Sequence, residues 1–447
     1  MTAFPKYPKY KASGVEWLGD VPEHWGVERL KGSLLEVDRR STTGTETLLS
    51  LRMNVGLVPH NEVSTLPITT AQLIGYKKVA PGQVVMNRMR ASSGIFAVAT
   101  SHGLVSPDYA VFEPRGKQGT DYLLSLFKTG PMMTEFRRYS TGLGTGESGF
   151  LRLYSNFFFN IRCPIPPKAE EDRIVAFLDE KTAQIDALIA KKQRQIELLD
   201  EQKAILINRA VTRGLPSEAS AKEAELQDSG IPWIGSIPKH WKVIKLKYLI
   251  SIQAGYAFAS SAYSHNAQDI RLLRGVNVNP GKITWNDVVY WPEKKMRGVE
   301  DFALAENDMV MGMDRPWVSS GVRVARITKA DLPCLLLQRV ARIRATKIEP
   351  DFLERVLTGS GFKSYFEPIL TGVSVPHISP DQIGGYTAAV PPLPEQKAIC
   401  SFINQAEALC SKVKATEESQ IQTLQTLRST LIAHAVTGKI AIPAATV

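Results

Sequence analysis

Two short stretches of this chain combine residue types suited to gripping a polyanion. Residues 87–94 read Asn-Arg-Met-Arg-Ala-Ser-Ser-Gly and offer Asn87, Arg88, Arg90, Ser92 and Ser93. Residues 313–321 read Met-Asp-Arg-Pro-Trp-Val-Ser-Ser-Gly and offer Arg315, Trp317, Ser319 and Ser320. An arginine can hold a guanine edge with two parallel hydrogen bonds or clamp a phosphate, and a serine hydroxyl can donate to a phosphate. Each stretch follows an apolar run that reads as a strand (residues 84–86 and 309–311) and precedes another. Arg52 with Asn54, and Arg274 with Asn277, form a second, weaker pair. The plain alternative for all of these is a solvated hairpin loop.

Motifs for bond-making chemistry fall short. GTGESG at residues 144–149 fits G-x-G-x-x-G, but a dinucleotide loop needs a strand before it and a helix after it. Here residues 132–139 read as helix and residues 150–159 as an aromatic-rich stretch, so a glycine-rich turn is expected. Ser106-Pro107-Asp108-Tyr109 approaches the (Asp/Asn/Ser)-Pro-Pro-(Tyr/Phe) motif of amino-methyltransferases, whose aromatic stacks on a flipped base. Asp108 stands where the second proline belongs, and no cofactor loop precedes it. Cys163, Cys334, Cys400 and Cys410 form no C-x-x-C pair, and the seven histidines do not cluster. No metal site, P-loop or catalytic residue is expected. His24 and His240 recur in a Pro-x-His-Trp context and read as structural.

The elements that position these loops come in duplicate. Residues 13–31 return as residues 229–247, with ten of nineteen positions identical, including Trp17/Trp233, Pro22/Pro238, His24/His240 and Trp25/Trp241. Residues 165–178 return as 390–403, and that register holds without a gap to Ala-Val-Thr at 210–212 and 435–437. Each half is a shared opening, a middle of unlike sequence and a long shared tail. The middles mix short β-rich runs (83–86, 95–100) with brief helical patterns (120–127), and Thr141-Gly142 and Thr371-Gly372 read as turns.

The tails read as helices that begin after Pro166-Pro167 and after Pro391-Pro392-Leu393-Pro394. Leu178, Ile185, Lys192, Leu199 and Leu206 repeat every seven residues, as do Ile403, Cys410, Glu417, Leu424 and Leu431. That is a coiled-coil seam. Each seam is broken once, at its middle, by opposite charges. Antiparallel packing brings Lys192 to Glu417, Leu178 to Leu431 and Leu206 to Ile403; the alternative is that both charged side chains reach solvent.

The expected fold is α+β: two similar domains (1–168 and 229–394) and a pair of long helices (in 169–214 and in 395–447, the latter with a C-terminal tail) forming an antiparallel coiled coil, with a polar linker at 215–228. The formal charge is +10. The excess lies in the globular parts, +7 over residues 1–169 and +6 over residues 229–394, while the helices are near neutral. Basic domains suit a nucleic acid, and neutral helices suit protein packing. No apolar run approaches the ~20 residues of a membrane span, and the start MTAFPKYPKY has no signal-peptide core. A soluble, cytoplasmic protein is expected.

The Gly-x-x-Trp-(Leu/Ile)-Gly-x-(Val/Ile)-Pro-x-His-Trp openings, the Pro-Pro-x-x-Glu-(Glu/Gln) helix starts and the helix ends Ala-Val-Thr-Arg-Gly and Ala-Val-Thr-Gly-Lys resemble specificity subunits of type I restriction–modification enzymes. The likeness covers nearly the whole chain. Lys168-Ala169-Glu170-Glu171 departs mildly from the family's usual apolar residue followed by Pro-Glu-Gln. The resemblance implies two target-recognition domains, each reading one half of a split double-stranded DNA site. It implies binding to two methyltransferase (modification) subunits, which carry S-adenosylmethionine. It also implies motor-nuclease (restriction) subunits, which use ATP and magnesium. This chain would bind no cofactor. Readings from other classes are a stand-alone DNA methyltransferase with a degenerate site, and a coiled-coil scaffold protein.

Overall fold

The structure, a computed structural model, describes residues 4–53, 55–116, 118–143, 150–215, 225–370 and 376–443. It divides into two units: residues 1–194 with 417–447, and residues 195–416. Each unit therefore holds one globular domain together with part of both long helices.

The first unit is built on a four-stranded antiparallel sheet in the order Leu34–Val37, Tyr109–Pro114, Val84–Asn87, Phe96–Val98. The apolar run at Val84–Met86 is continuous because both faces of this strand are covered. Val84 and Met86 face one cluster and Val85 the other. Helices Thr120–Phe127 and Gly130–Arg138 close the first face. Phe96, Phe112, Phe127, Phe136 and Phe158 meet there, each under 4% exposed. Each such ring contributes about 1.5–3 kcal/mol by leaving water.

The second unit repeats this plan although its sequence differs. Its sheet runs Ile250–Ala254, Val340–Ala345, Met309–Gly312, Val324–Arg326, with helices Pro350–Thr358 and Ser360–Leu370 after the second strand of that order. Met309 and Met311 face one cluster and Val310 another. In each unit a second, two-stranded pairing joins the opening to the strand that leads into the long helix: Gly26–Arg29 with Arg162–Ile165, and Lys242–Lys245 with Thr387–Val390. Thr141–Leu143 is a strand paired with Phe150–Arg152, where a turn was expected. The expectations at residues 144–149 and Thr371-Gly372 lie outside the described residues, as does most of the expected linker.

The long helices span Lys168–Arg213 and Leu393–Val436. Within the first unit they run antiparallel. Leu178, Ile185 and Leu431 share one buried cluster, against which Leu424 packs. Arg428 lies 2.9 Å from Asp186, and Lys192 Nζ lies 2.9 Å from Glu417 Oε2. Lys192 also donates to Gln420. The second unit shows the same sense: Asp200 lies 2.8 Å from Lys414, and Ile403 shares a core with Ala210. Leu199, Leu206 and Cys410 are half-buried.

The repeated openings hold the helices by both ends. His24 and His240 each contact the first-turn carboxylate of a long helix, Glu170 and Glu395, at 2.8 Å. The carboxylate takes a second bond from the Tyr7 hydroxyl in one unit and from Trp241 Nε1, at 3.0 Å, in the other. The next residue, Glu171 or Gln396, is buried and accepts from the backbone N–H of Gly119 (2.6 Å) or Glu349 (2.8 Å), which precede the domain helices. The helix ends are seated crosswise. Gly438, at φ +72°, lies against Pro22 and Trp25, while Gly214, at φ +77°, lies against Pro238 and Trp241. Tyr122 donates to the Val436 carbonyl at 2.8 Å.

Candidate nucleic-acid interface

In the first unit, the strand Val84–Asn87 delivers residues 88–94 to one end of the sheet. Asn87 pairs with Tyr109, the first residue of the neighbouring strand. Burial raises the pKa of the Tyr109 phenol, while nearby Arg52 and Arg90 and a hydrogen bond with Asn87 act the other way. Arg52, Asn87, Arg90 and Tyr109 thus share one surface. Arg52 and Arg90 are exposed there, and Arg52 donates to the Val63 carbonyl at 3.2 Å. Asn87 Oδ1 accepts from Met89 N–H at 3.0 Å. Asp108 lies 3.3 Å from Arg152. Ser93 is exposed and Ser92 half-buried. Ser93 and Arg52 line a cleft of about 610 Å³ that continues past Lys128 to Arg428 on the second long helix. Asn54 lies outside the described residues.

Arg88 is placed differently. Its guanidinium lies 2.6 Å from Glu36 and 3.4 Å from Ser155 Oγ. Lys77, only 2% exposed, lies 3.8 Å from the same Glu36. Desolvation, and then the charge of Arg88, hold the Lys77 ammonium below its ordinary pKa. Arg88 is therefore part of an internal charge cluster.

In the second unit, Arg274 pairs with Asp287. Asn277, 1% exposed, spends its side chain on the carbonyls of Thr284 (3.0 Å) and Asp287 (3.1 Å) and on the N–H of Arg274 (3.0 Å). This pair builds its own turn. Arg315 is exposed, at φ +45°. Beyond it, Trp317 pairs with Val322 in a short hairpin whose exposed tip carries Ser319 and Ser320; Trp317 itself is half-buried against the core.

The two loops are equivalent in the fold. Val84–Asn87 and Met309–Gly312 are the third strands of matching sheets, and Arg90 and Arg315 each stand three residues past the strand end. A returning segment ties each loop down: Leu153 N–H donates to the Arg88 carbonyl, and Ile378 N–H to the Met313 carbonyl, both at 2.9 Å. These pairs are 225 residues apart, the register of the helical repeat. Exposed guanidinium groups at these places, with hydroxyls beside them, can read a guanine edge or grip phosphates.

Sequence reasoning did not place Tyr109 beside Arg52, Asn87 and Arg90. Tyr109 was visible as the aromatic of Ser106–Tyr109, which proves to be a turn entering a strand. Extending the 225-residue register upstream of the helices would have paired Arg90 with Arg315 and Leu153 with Ile378. Among the described residues no cluster of three or more His, Cys, Asp or Glu is placed to hold a metal. No helix among them is long and apolar enough to cross a membrane.

No family model matches the chain. It is 29% identical over 300 residues to the type I restriction enzyme MjaVIII specificity subunit of Methanocaldococcus jannaschii, covering 67% of this chain and 66% of that protein. It is 34% identical to the EcoAI specificity subunit of Escherichia coli, over 42% of this chain and 32% of that protein. These matches thus span just under two thirds and about one third of those relatives. A putative MjaX specificity subunit, also from Methanocaldococcus jannaschii, is 24% identical over 95% of this chain and 96% of its own length. Among solved structures, a chain from work on complex assembly and conformational transition of the type I R-M system matches with a TM-score of 0.66 at 14% identity, covering 93% of this chain and 98% of that one. The HsdS subunit from Thermoanaerobacter tengcongensis matches with a TM-score of 0.53 at 16% identity, over 94% and 98%. With its duplicated openings and paired helices, the chain is similar to specificity subunits of type I restriction enzymes, and the solved structures share its fold.

Proposed function

We propose that this chain reads a bipartite double-stranded DNA site, one half per unit, and directs partner subunits to it without catalysing a reaction itself. The observation that carries this reading is the exposed arginine at one and the same place in both units, Arg90 and Arg315, inside otherwise unlike loops. Like placement with unlike surroundings is what two readers of different half-sites need. The net charges of +7 and +6 on the domains support contact with phosphates. Two linked readers also bind more tightly than either alone, through effective concentration.

On this reading the near-neutral helices serve protein contacts with two methyltransferase subunits. Those subunits bring S-adenosylmethionine, and motor-nuclease subunits bring ATP and magnesium, in the cytoplasm. The test is to map methylated adenines genome-wide by single-molecule sequencing, with and without this gene, and then with residues 32–164 exchanged for the middle of a related protein. The expected result is a bipartite motif that depends on the gene, of which the exchange alters one half and leaves the other half and the gap. Robust methyl transfer by the purified chain alone would overturn the non-catalytic reading.

A further inference from the structure

We propose that His377 is a positioning residue which, through Asp314, sets the backbone of Arg315 and thereby the base preference of the second unit. This rests on the DNA-reading function proposed above. Among the described residues only three that are not glycine have positive φ: Asn307, Arg315 and Arg339. Two of these three meet at Asp314. Arg315, at φ +45°, also precedes Pro316, and a proline presses the residue before it toward extended backbone. A residue with a side chain held against both preferences is strained and persists only where its surroundings fix it.

The surroundings here do so from three sides. His377 Nδ1 donates to Asp314 Oδ1 at 2.6 Å, and Arg339 Nη1 donates to the same oxygen at 3.3 Å. Residues 376–378 lie along the loop: Arg315 N–H donates to the Pro376 carbonyl at 2.7 Å and Ile378 N–H to the Met313 carbonyl at 2.9 Å. Beneath, Arg323 Nη1 donates to the Asp314 carbonyl at 2.9 Å, and Arg323 N–H to the Pro316 carbonyl at 2.7 Å. The Arg315 side chain itself stays exposed. The network fixes where the guanidinium starts and leaves its head available for a guanine edge or a phosphate.

In the first unit, position 152 is the counterpart of 377 and position 89 that of 314. There Arg152 faces the thioether of Met89 at 4.0 Å, and the residue equivalent to Arg315, Arg90, has φ −125°. The two units thus aim equivalent arginines with different devices, as unlike half-sites require.

The test uses the full chain assembled with its methyltransferase partners on a library of duplexes randomised across the target, with methylation read by sequencing. Arg315→Ala and His377→Ala should relax the same base position in the same half-site, each by about tenfold, and the double variant should relax it no further. The other half-site should not change. Arg339→Ala, which removes the second arm on Asp314, should relax that position too and serves if His377→Ala fails to fold. His377→Gln, whose amide can still donate to Asp314, should retain the preference. Intact discrimination in a folded His377→Ala (or, where that variant does not fold, in Arg339→Ala), or relaxation at a position other than that of Arg315→Ala, overturns the proposal. A parent complex with no base preference in either half would instead overturn the DNA-reading function itself.

Discussion

The pair Lys192–Glu417 interrupts an otherwise apolar seam, and its energetic weight can be worked from its surroundings. The two side chains are 23% and 18% exposed and 2.9 Å apart. At an effective dielectric of about 20 their gross attraction is on the order of 5 kcal/mol. Taking both groups most of the way out of water cancels the greater part of that. A net coupling of about 1–2 kcal/mol remains, above the ~0.2–1 kcal/mol of exposed pairs and below the ~3–5 kcal/mol lost on breaking a fully buried one. Lys192→Met strands a carboxylate in the seam, and Glu417→Leu strands an ammonium. Each single change should lower the melting temperature of a unit of this size by about 2–6 °C. The double variant replaces the pair with apolar surface and should melt at or above the parent temperature. Calorimetry on the four proteins at low and high salt measures the cycle. If the single effects add to the double within about 0.3 kcal/mol, the two side chains act independently in solvent and the seam reasoning is wrong.

Three further outcomes are expected. Arg90→Ala and Arg315→Ala should each relax one base position, in different half-sites, at about 1–3 kcal/mol; Arg88→Ala, which takes the nearer cation from Glu36 and leaves it Lys77 at 3.8 Å, should instead lower the melting temperature, and a base-specific effect of Arg88 in a mobility-shift series would contradict its internal role. Gly438→Ala places a Cβ 2.5 Å from Pro22 Cδ at φ +72° and should cost more than about 1 kcal/mol, read as a lowered melting temperature; an unchanged value would refute the crosswise seating of that helix end. Lys414 and then Lys203, by hydrogen bonding, hold the Asp200 carboxyl below its ordinary pKa of 3.8, so its contribution is present above that value and is lost as pH falls through the depressed folded one. Asp200 is half-exposed, so screening keeps the effect under about 1 kcal/mol: the small melting deficit of Asp200→Asn at neutral pH should shrink toward zero in acid, and a deficit that widens in acid would count against the pairing.

What could be read before any coordinates depended on how many residues carried each signal. The helices were legible because the seam recurs at five positions, seven residues apart, in each tail, and its central charges stand out against apolar neighbours. The strand before each loop was legible because burial on both faces leaves an unbroken apolar run, Val84–Met86 or Met309–Met311. The candidate surface was not. Arg88 and Arg90 look alike in sequence, yet Glu36, fifty-two residues away, captures one and leaves the other exposed. Asn277 looks like a free amide and is consumed by carbonyls of its own turn. His377 has no local signal at all, because its partner Asp314 arrives through the pairing of distant segments.

The pattern of repetition follows from the same geometry. Each opening must satisfy two helices at once. His24 binds Glu170 at the start of the first long helix, while Pro22 and Trp25 seat Gly438 beyond the end of the second. His240 binds Glu395, while Pro238 and Trp241 lie against Gly214. A change in an opening has to suit a start and an end that come from opposite halves of the chain, so opening and tail repeat together. The middle answers to the helices only through a few points, such as Gly119 N–H on Glu171, Glu349 N–H on Gln396 and Tyr122 on the Val436 carbonyl. Its loops answer to neither helix end. The strand beneath each loop needs only apolar residues on both faces, and Val-Val-Met and Met-Val-Met meet that need equally well. Sequence is therefore free to diverge where the exposed arginines stand, while the frame that carries them stays in register at 225 residues.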